Sequence, residues 1–492
     1  TLSLHDALPI LKVYFFYIMF VSEKYKAFLM TKKLKTKNSS VLKKFLKKNP
    51  KTIEMEILVA DIHGVLRGKR IRSNEFESVF KDGFTMPGGT VLLDILGGAV
   101  PDISWSGDDG DPDTDAEVIA ESLVPIPWAK KPSAQVLFNF NNDKGDLFFA
   151  QPRSVLSDVL NKVKKTAPKI VMAVELEFYL LDGNADRPKP KTSLIPGIGR
   201  PQPGPQVYHP DDLWDIENFL DDLHKNCEAQ NIPAGTTISE YAPAQFEINL
   251  HHVDDPLLAC DHAVLLKRAI KATARQHGFV ACFMAKPFEE ESGSGMHIHM
   301  SVYDKKNKNI FSKNQDKNVN PPFTDSLRHT IGGLKKSMAE STLIFAPNAN
   351  SYRRLRPDMF APVEPNWGVN HRNVSIRIPV SNAKNLRFEH RVAGADANPY
   401  LVTAAILAGL DHGIKNQCNP GKMVKQGEVI TLEQKIPNRW IKAIDHFEKN
   451  KILQDYFNDE FCKSYAMNRR FEESEFNNQI SNVDFDWYLR SV

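Results

Sequence analysis

Two histidines stand two residues apart, directly after a Gly-Ser-Gly run. His297 and His299 lie in the stretch GSGMHIHMS, residues 293–301, where they alternate with apolar residues. Alternate side chains of a β-strand share a face, so the pattern predicts that both imidazoles point the same way. The glycines in front allow a backbone or a ligand to approach closely. This stretch is therefore predicted to be a strand that lines a binding site.

Two other stretches carry pairs of glutamates. Glu175 and Glu177 alternate with apolar residues in VELEF, and Glu240 and Glu247 bracket a Pro-Ala bend in EYAPAQFE. Two carboxylates at i and i+2 of a strand share one face. An exposed edge strand shows the same alternation, so the first pair by itself does not distinguish a site from a surface.

A fifth glutamate, Glu389, lies between two arginines in the apolar run LRFEHRV. Buried charges need partners, so a structural network of ion pairs is the alternative interpretation of that run. The planar guanidinium group of arginine can donate paired hydrogen bonds to carboxylate and phosphate groups. The cationic cluster of the sequence consists of Arg353, Arg354, Arg356, Arg372, Arg377, Lys384 and Arg387.

Taken together, five glutamates and the single imidazole of His297 predict a site for Mg²⁺ or Mn²⁺, because hard oxygen ligands dominate the set. Six ligands exceed the needs of one open catalytic ion, whereas two ions with three protein ligands each leave room for water and phosphate. Arginines beside such ions are typical of phosphoryl transfer from a nucleotide. The sequence contains no GxxxxGK[ST] motif and no kinase motif set, so a P-loop or kinase function is disfavoured.

The composition is that of an ordinary globular protein. The 492 residues are 42% hydrophobic and 25% charged, with a net charge of +3, which indicates neither a nucleic-acid nor a membrane partner. Five cysteines lie far apart without a Cys-x-x-Cys pair, which fits a reducing, cytoplasmic compartment.

The N-terminal region has an unusual pattern. The apolar run at residues 10–21 is shorter than the roughly 20 residues that span a bilayer, and it lacks a signal peptide's flanks. We expect residues 1–29 to be read-through or a cloning scar, with a natural start at Met30. The Lys-rich residues 32–51 are predicted to be a solvated tail leading into a short amphipathic helix, in preference to a nucleic-acid arm.

Periodicity places these motifs on alternating strands and helices. A hairpin is predicted over residues 53–71, loop over 83–113, more strands over 114–149, and a Pro-rich loop over 183–208. Further strands are predicted at 171–181, 238–250, 279–285 and the GSGMHIHMSV stretch. Helices are predicted at 152–165, 211–230, 262–277, 325–339 and 397–413. The class is α+β or mixed α/β, with a small β-rich N-terminal domain that ends near residue 150.

At this point the motifs resemble those of the glutamine synthetase family. The stretches VELEF, EYAPAQFE, GSGMHIHMS, NSYRRL, RNVSIRIP, NAKNLRFEHR and ADANPYL occur in the family's order. They extend from about residue 53 to residue 401, and seven motifs in order are far more specific than one.

The resemblance implies a fold and an assembly. It implies a β-grasp-like domain at 50–149 and a catalytic domain at 150–492 with an antiparallel sheet and helices, which follow the N-terminal extension at 1–49 that the composition predicts to be partly non-native or disordered. It also implies active sites between neighbouring subunits of a homo-oligomer, a dodecamer of two hexameric rings.

The resemblance also implies roles for single residues. One metal would be held by Glu177, Glu240 and Glu247, and the other by Glu175, His297 and Glu389. The residues facing the phosphates would be His299, Arg372, Arg377 and Arg387. Ser301 and Lys384 would lie near the nucleotide, together with Arg387. Gly293, Arg354 and Arg391 would bind glutamate.

In the family chemistry, ATP phosphorylates the γ-carboxylate of glutamate, and an amine then attacks the γ-glutamyl phosphate. Enzymes that use ammonium have a flap glutamate, but Phe360 stands at its place here. The stretch that corresponds to a second ammonium-site carboxylate, FTMPGGT at 84–90, contains no acid. Ser292 also replaces an asparagine that usually lies beside the glutamate.

These departures resemble the γ-glutamylpolyamine synthetase branch. An aromatic flap without carboxylates suits an amine with an organic tail better than ammonium. We therefore predict a ligase that uses putrescine or a similar amine. The alternatives are a glutamine synthetase that handles ammonium with another acid, such as Asp358 or Glu364, and a catalytically inactive structural relative.

Overall fold

The computed structural model describes residues 36–492 apart from 106–108, 143–144, 184–187, 193, 196–197, 202–203, 205–206, 316–321, 358, 360 and 430–432. The apolar run at residues 10–21 therefore lies outside the described residues. Within the described part, no helix is both long and apolar enough to cross a membrane.

The N-terminal region forms a five-stranded mixed sheet. Its elements are α1 (residues 36–48), β1 (Glu54–Ala60), β2 (Leu66–Arg72), α2 (Phe76–Asp82), β3 (Phe84–Pro87), β4 (Asp113–Pro125) and β5 (Ser133–Asn141). The strand order is β2-β1-β5-β4-β3, and only β1 and β5 run parallel. The predicted hairpin is present, and the predicted loop at 83–113 is interrupted by β3 and by a 3₁₀ turn at Gly88–Val91.

The rest of the chain forms a second, eight-stranded sheet and most of the helices. In chain order the elements are α3 (Pro152–Val163), β6 (Lys169–Asp182), α4 (Pro210–Trp214), α5 (Glu217–Ala229), β7 (Ala234–Ser239), β8 (Gln245–Leu250), α6 (Pro256–Gln276), β9 (Phe279–Cys282), β10 (Met296–Tyr303), α7 (Asp325–Phe345), α8 (Ser351–Arg354), β11 (Trp367–Val369), β12 (Ile376–Ile378), β13 (Phe388–His390), α9 (Pro399–Lys415), α10 (Trp440–Glu448), α11 (Asp459–Asn477) and α12 (Asn482–Tyr488).

The strand order of this sheet is β11-β12-β13-β10-β6-β8-β7, and β9 pairs with the end of β6 beyond β8. All pairs are antiparallel except β11 with β12. The strands that carry the sequence motifs, β13, β10, β6 and β8, are therefore neighbours in the middle of the sheet. This agrees with the predicted α+β class.

Two elements that were predicted to be continuous are interrupted in the structure. The stretch at residues 238–250 is two strands joined by a turn, in which Ala244 has a φ of 59° and the Glu240 amide donates to the Gln245 carbonyl at 2.8 Å. The helix at 211–230 breaks between α4 and α5, where Ile216 leaves the helical conformation and is buried. In both places tertiary packing overrides local periodicity.

Helix α9 lies in the core and is buried on almost every side, which its near-continuous apolar sequence allows. It packs against α7. A Cβ on Gly333 of α7 would lie 2.1 Å from the carbonyl oxygen of Gly409 and 2.4 Å from the Cα of Gly413. The glycines therefore permit a helix contact that any larger residue would prevent.

Side chains of α11 hold the N-terminal region against the second sheet's helices. Asn468 donates to the Leu92 carbonyl at 2.8 Å, and the Glu472 carboxylate accepts from the Ile95 amide at 2.7 Å. Arg469 is fully buried and pairs with Glu472 at 3.0 Å. These contacts fix the loop that follows β3 relative to the end of the chain.

Candidate active site

The candidate site is built on one face of the eight-stranded sheet. Directly opposite residues of antiparallel strands share a face. The opposite pairs are His297 with Glu175, Glu177 with Glu247, and His299 with Glu389. Strand register therefore brings five of the six predicted metal ligands, together with His299, into one patch.

The other face of the same strands is apolar. Val174 and Leu176 of β6 and Met296, Ile298 and Met300 of β10 are all fully buried in the core. The alternation in the sequence is therefore that of a central strand with one functional face, and the exposed-edge interpretation of VELEF is excluded.

Carboxylates surround the His297 imidazole. Its Nδ1 lies 3.4 Å from an oxygen of Glu175 and 3.9 Å from one of Glu389, and its Nε2 lies 3.7 Å from Glu177. His297 is 4% exposed, and its Nδ1 has no hydrogen-bond partner among the described residues. An imidazole nitrogen without a donor or acceptor partner, facing several carboxylate oxygens, is the arrangement expected of metal ligands.

The electrostatics of the glutamates support the same interpretation. Burial and repulsion from Glu175, Glu177 and Glu240 raise the pKa of Glu247 to about 9. Burial and the neighbouring Glu177 raise the pKa of Glu240 to about 7. The cations near Glu240, Arg372 and Arg391, do not offset this effect, and a divalent cation would supply further positive charge.

Two groups of three ligand atoms lie close enough to hold an ion, each within 4.8 Å of one another. One group is Glu175, Glu247 and His297, and the other is Glu175, His299 and Glu389. Oxygen-rich sets of this kind suit Mg²⁺ or Mn²⁺. Both groups share Glu175, so the grouping differs from the division predicted by resemblance, in which Glu247 joins Glu177 and Glu240.

Two predicted arginines contact Glu389. Arg377 donates to the Glu389 carboxylate at 2.8 Å and to Asn370 at 3.1 Å, and Arg391 also pairs with Glu389. Burial acts to raise the pKa of Glu389, but Arg391, the two neighbouring histidines and Arg377 lower it to about 2. The carboxylate is thus held ionised in the core by hydrogen-bonded cations.

The second histidine has a different partner. The Nδ1 of His299 accepts a hydrogen bond from the Arg387 Nε at 3.1 Å. With Nδ1 acting as acceptor, a neutral ring carries its proton on Nε2. That nitrogen lies 2.8 Å from an oxygen of Glu175. Like the Nδ1 of His297, this nitrogen is buried and has no hydrogen-bond partner among the described residues. The two rings therefore differ in that an arginine donates to His299, whereas carboxylates surround His297.

The three predicted glutamate-binding residues are brought together behind His297. A Cβ on Gly293 would lie 2.8 Å from Arg354, so glycine is needed for this close approach. Arg354 is buried, and its guanidinium donates to the carbonyls of Val392 at 2.8 Å and Arg391 at 3.4 Å. Two donors of Arg354 are therefore occupied by the backbone, which fixes the segment after β13.

The predicted nucleotide residues lie at the far end of β10. Ser301 is buried and donates to the Leu386 carbonyl at 3.1 Å. Lys384 is exposed on the loop before β13, and its carbonyl accepts from Tyr303 at 2.6 Å. Arg372 is also exposed, close enough to act electrostatically on Glu240. The flap residue Phe360 and the alternative acid Asp358 lie outside the described residues.

Sequence reasoning missed three polar contacts of the site. The Gly295 amide donates to Glu177 at 2.6 Å, Asn249 hydrogen-bonds Glu247, and Asn370 accepts from Arg377. Asn249 stands two residues after Glu247 on a strand, so alternation would have revealed it. Asn370 follows β11 in a loop and carries no such signal.

Comparisons with known proteins identify the family of the chain. The family described as glutamine synthetase, catalytic domain, matches residues 149–488. The chain is 36% identical to gamma-glutamylputrescine synthetase PuuA of Escherichia coli over 92% of its length and 94% of the relative's. It is 30% identical to a glutamate–isopropylamine ligase of a Pseudomonas species over 87% of its length and 93% of the relative's.

A solved structure described as a complex of GmaS with ADP has the same fold. Its TM-score is 0.77 at 24% identity, with 91% of this chain and 98% of that chain covered. The fold, the family match and the two relatives confirm the predicted family and the enzyme class of carboxylate–amine ligases. The chain belongs to the glutamine synthetase family.

Proposed function

We propose that this protein is an ATP-dependent ligase that joins the γ-carboxylate of glutamate to an amine through a γ-glutamyl phosphate. The observation that carries the proposal is the single sheet face on which carboxylates and His297 lie beside hydrogen-bonded arginines. Phosphoryl transfer depends mainly on positioning and charge neutralisation, and this face provides both.

The metal ligands in this proposal are the six predicted residues, Glu175, Glu177, Glu240, Glu247, His297 and Glu389. Two or more Mg²⁺ or Mn²⁺ ions would neutralise charge on the transferring phosphoryl group when bound. The raised pKa of Glu247 and the unpartnered Nδ1 of His297 support this assignment.

Three cations and His299 face the phosphates in this proposal. Arg377 and Arg387 are anchored by Glu389 and His299, so their remaining donors are held in place for an anion. Arg372 is exposed at the rim. The Nε2 proton of His299 provides one more donor. Preorganised donors stabilise charge in a transition state without reorganisation.

The substrates bind at the two ends of the sheet face. Gly293, Arg354 and Arg391 form the glutamate side, where Arg391 pairs with Glu389 and Arg354 fixes the backbone. Ser301, Lys384 and Arg387 form the ATP side. The proposed metal ligands lie between the glutamate side and the ATP side. Transfer of the γ-phosphoryl group from ATP to glutamate requires this order.

An amine with an organic tail, such as putrescine, is the proposed acceptor. The two positions that carry ammonium-site carboxylates hold Phe360 and the acid-free stretch 84–90. Glu364, the described alternative acid, is paired with Lys435 at 2.7 Å, which neutralises it. The relatives named for putrescine and isopropylamine support an alkylamine. An ammonium-using glutamine synthetase remains the alternative, through Asp358.

The test measures phosphate release with glutamate, ATP and Mg²⁺ against putrescine, isopropylamine, other alkylamines and ammonium. We expect an alkylamine or diamine to give the highest kcat/KM. Ammonium as the best substrate would overturn the proposal, and no release with any amine would support an inactive relative. As a matched variant, Phe360→Glu should shift the preference toward ammonium, because it restores a carboxylate at the flap.

We further propose a cytoplasmic homo-oligomer of two hexameric rings, with an N-terminal domain at 50–149 and a catalytic domain at 150–492. Five free cysteines fit a reducing compartment. The junction falls between β5 and α3, where one sheet ends and the elements of the other begin. Light scattering of the purified protein tests the assembly, and a monomer would contradict it.

A further inference from the structure

Two buried residues that are not among the predicted ligands stand beside the site on the same sheet face. Tyr179 of β6 lies directly opposite Gln245 of β8, two residues beyond the opposite pair Glu177 and Glu247. Tyr179 is fully buried and Gln245 is 2% exposed. Side chains at i and i+2 share a face, so both point toward the site and away from the apolar core behind the sheet.

Both residues donate to consecutive carbonyls of one segment. The Tyr179 hydroxyl donates to the Ser292 carbonyl at 2.6 Å, and the Gln245 amide donates to the Gly293 carbonyl at 3.0 Å. Burial and the nearby acids raise the pKa of Tyr179 above its usual range, so the hydroxyl keeps its proton. Residues 292–293 are therefore tied to the sheet at two successive points, shortly before β10 begins at Met296.

Gln245 also holds a second segment. Its side-chain oxygen accepts from the Ala242 amide at 3.3 Å, within the turn that begins at Glu240. The backbone closes the same turn, with the Glu240 amide donating to the Gln245 carbonyl at 2.8 Å. One side chain thus connects the turn that carries Glu240 with the segment that carries Gly293.

We propose that Tyr179 and Gln245 form a brace that positions the glutamate-binding segment 292–293, and that Gln245 alone couples this segment to the Glu240 turn. The inference rests on the proposed function, because it assigns glutamate to Gly293 and its neighbours. Both are positioning residues. Tyr179 acts on glutamate binding only, whereas Gln245 acts on glutamate binding and on the position of the proposed metal ligand Glu240.

Calorimetry of L-glutamate binding in the presence of Mg²⁺ and ADP, together with titration of the protein with Mn²⁺, tests the brace. Tyr179→Phe removes one hydrogen bond and should weaken glutamate binding about five- to tenfold, with the Mn²⁺ affinity unchanged. Gln245→Met should weaken glutamate binding about tenfold or more and also weaken Mn²⁺ binding about tenfold, because it releases the turn that carries Glu240.

Tyr465→Phe is the matched control. Tyr465 is also buried and donates its hydroxyl to a backbone carbonyl, that of Leu343 at 3.3 Å, but it lies on α11 away from the sheet face. It should leave the glutamate affinity unchanged.

The outcomes separate the two proposals. If wild-type protein does not bind glutamate, the proposed function fails. If wild-type protein binds it and Tyr179→Phe binds it equally well, the brace is overturned, whatever the change in thermal stability. A loss of Mn²⁺ affinity in Tyr179→Phe equal to that in Gln245→Met would overturn the separate role of Gln245. Should Gln245→Met fail to fold, the Tyr179→Phe affinity still decides the brace.

Discussion

His297 and His299 share a strand face and differ in what contacts them. Carboxylates surround His297, while Arg387 donates to the Nδ1 of His299 and thereby fixes the proton on the opposite nitrogen. A ring nitrogen that carries a proton donates and does not bind a metal. The side chains that contact each ring, and not its position in the strand, therefore distinguish the two proposed roles.

This difference gives a prediction about metal affinity. His297→Ala should weaken Mn²⁺ binding at least about tenfold, because it removes a ligand. His299→Ala should leave the Mn²⁺ affinity within about threefold of wild type while weakening ADP binding, because it removes a donor to phosphate. Mn²⁺ titration followed by electron paramagnetic resonance, with calorimetry of ADP, measures both. Equal losses of Mn²⁺ affinity in the two variants would contradict the assignment.

At the scale of the element, Asn398 connects a helix start to the N-terminal sheet. Its side-chain oxygen accepts from the Tyr400 and Leu401 amides at 3.0 and 3.4 Å, which caps α9 in front of Pro399. Its amide nitrogen donates to the Asp61 carbonyl at 2.8 Å, at the turn between β1 and β2. The Asn398 side chain therefore caps α9 and also connects this helix to the N-terminal sheet.

We expect Asn398→Ala to lower the free energy of unfolding by about 2 kcal/mol, since it loses a cap and a buried hydrogen bond. Asn458→Ala is the matched control, because the Asn458 side chain accepts from the Glu460 and Phe461 amides of its own helix, α11. The control should lose about 1 kcal/mol. Urea unfolding of both variants measures the difference, and equal losses would show that the contact with Asp61 contributes nothing.

At the scale of the whole molecule, buried charges join distant segments. Lys267 of α6 donates to the carbonyls of Ala395 and Ala397, between β13 and α9. Burial and the nearby positive charge of Lys271 lower its pKa from 10.5 to about 7, with Asp396 acting in the opposite direction. The folded protein therefore binds this proton more weakly than the unfolded chain.

That difference predicts a pH dependence of stability. Between pH 7 and pH 10 the unfolded chain holds the Lys267 proton that the folded protein has released, so stability rises with pH in this window. The gain from pH 7 to pH 9 should be about 1–2 kcal/mol, and Lys267→Met should lack it. Urea unfolding at pH 7, 8 and 9 compares the two proteins. The same slope in Lys267→Met would show that Lys267 does not titrate in this range.

Several elements of this fold could be predicted from local sequence patterns. The hairpin at residues 53–71, the strand bearing VELEF and the GSGMHIHMS strand were predicted because alternation of polar and apolar residues reports the two faces of a strand. The turn after Glu240 and the break at Ile216 were not, because each depends on packing against segments distant in sequence. Helices α10 to α12 were not predicted at all.

The sequence by itself determined the family and the candidate residues for the chemistry, because carboxylate, imidazole and guanidinium groups occur in ordered motifs with strand spacing. The tertiary structure decided how those residues combine. Strand register places His297 opposite Glu175 and Glu177 opposite Glu247, and hydrogen bonds assign Arg387 to His299 and Arg377 to Glu389. Register and side-chain partners arise from contacts between strands far apart in the chain, which no local pattern encodes.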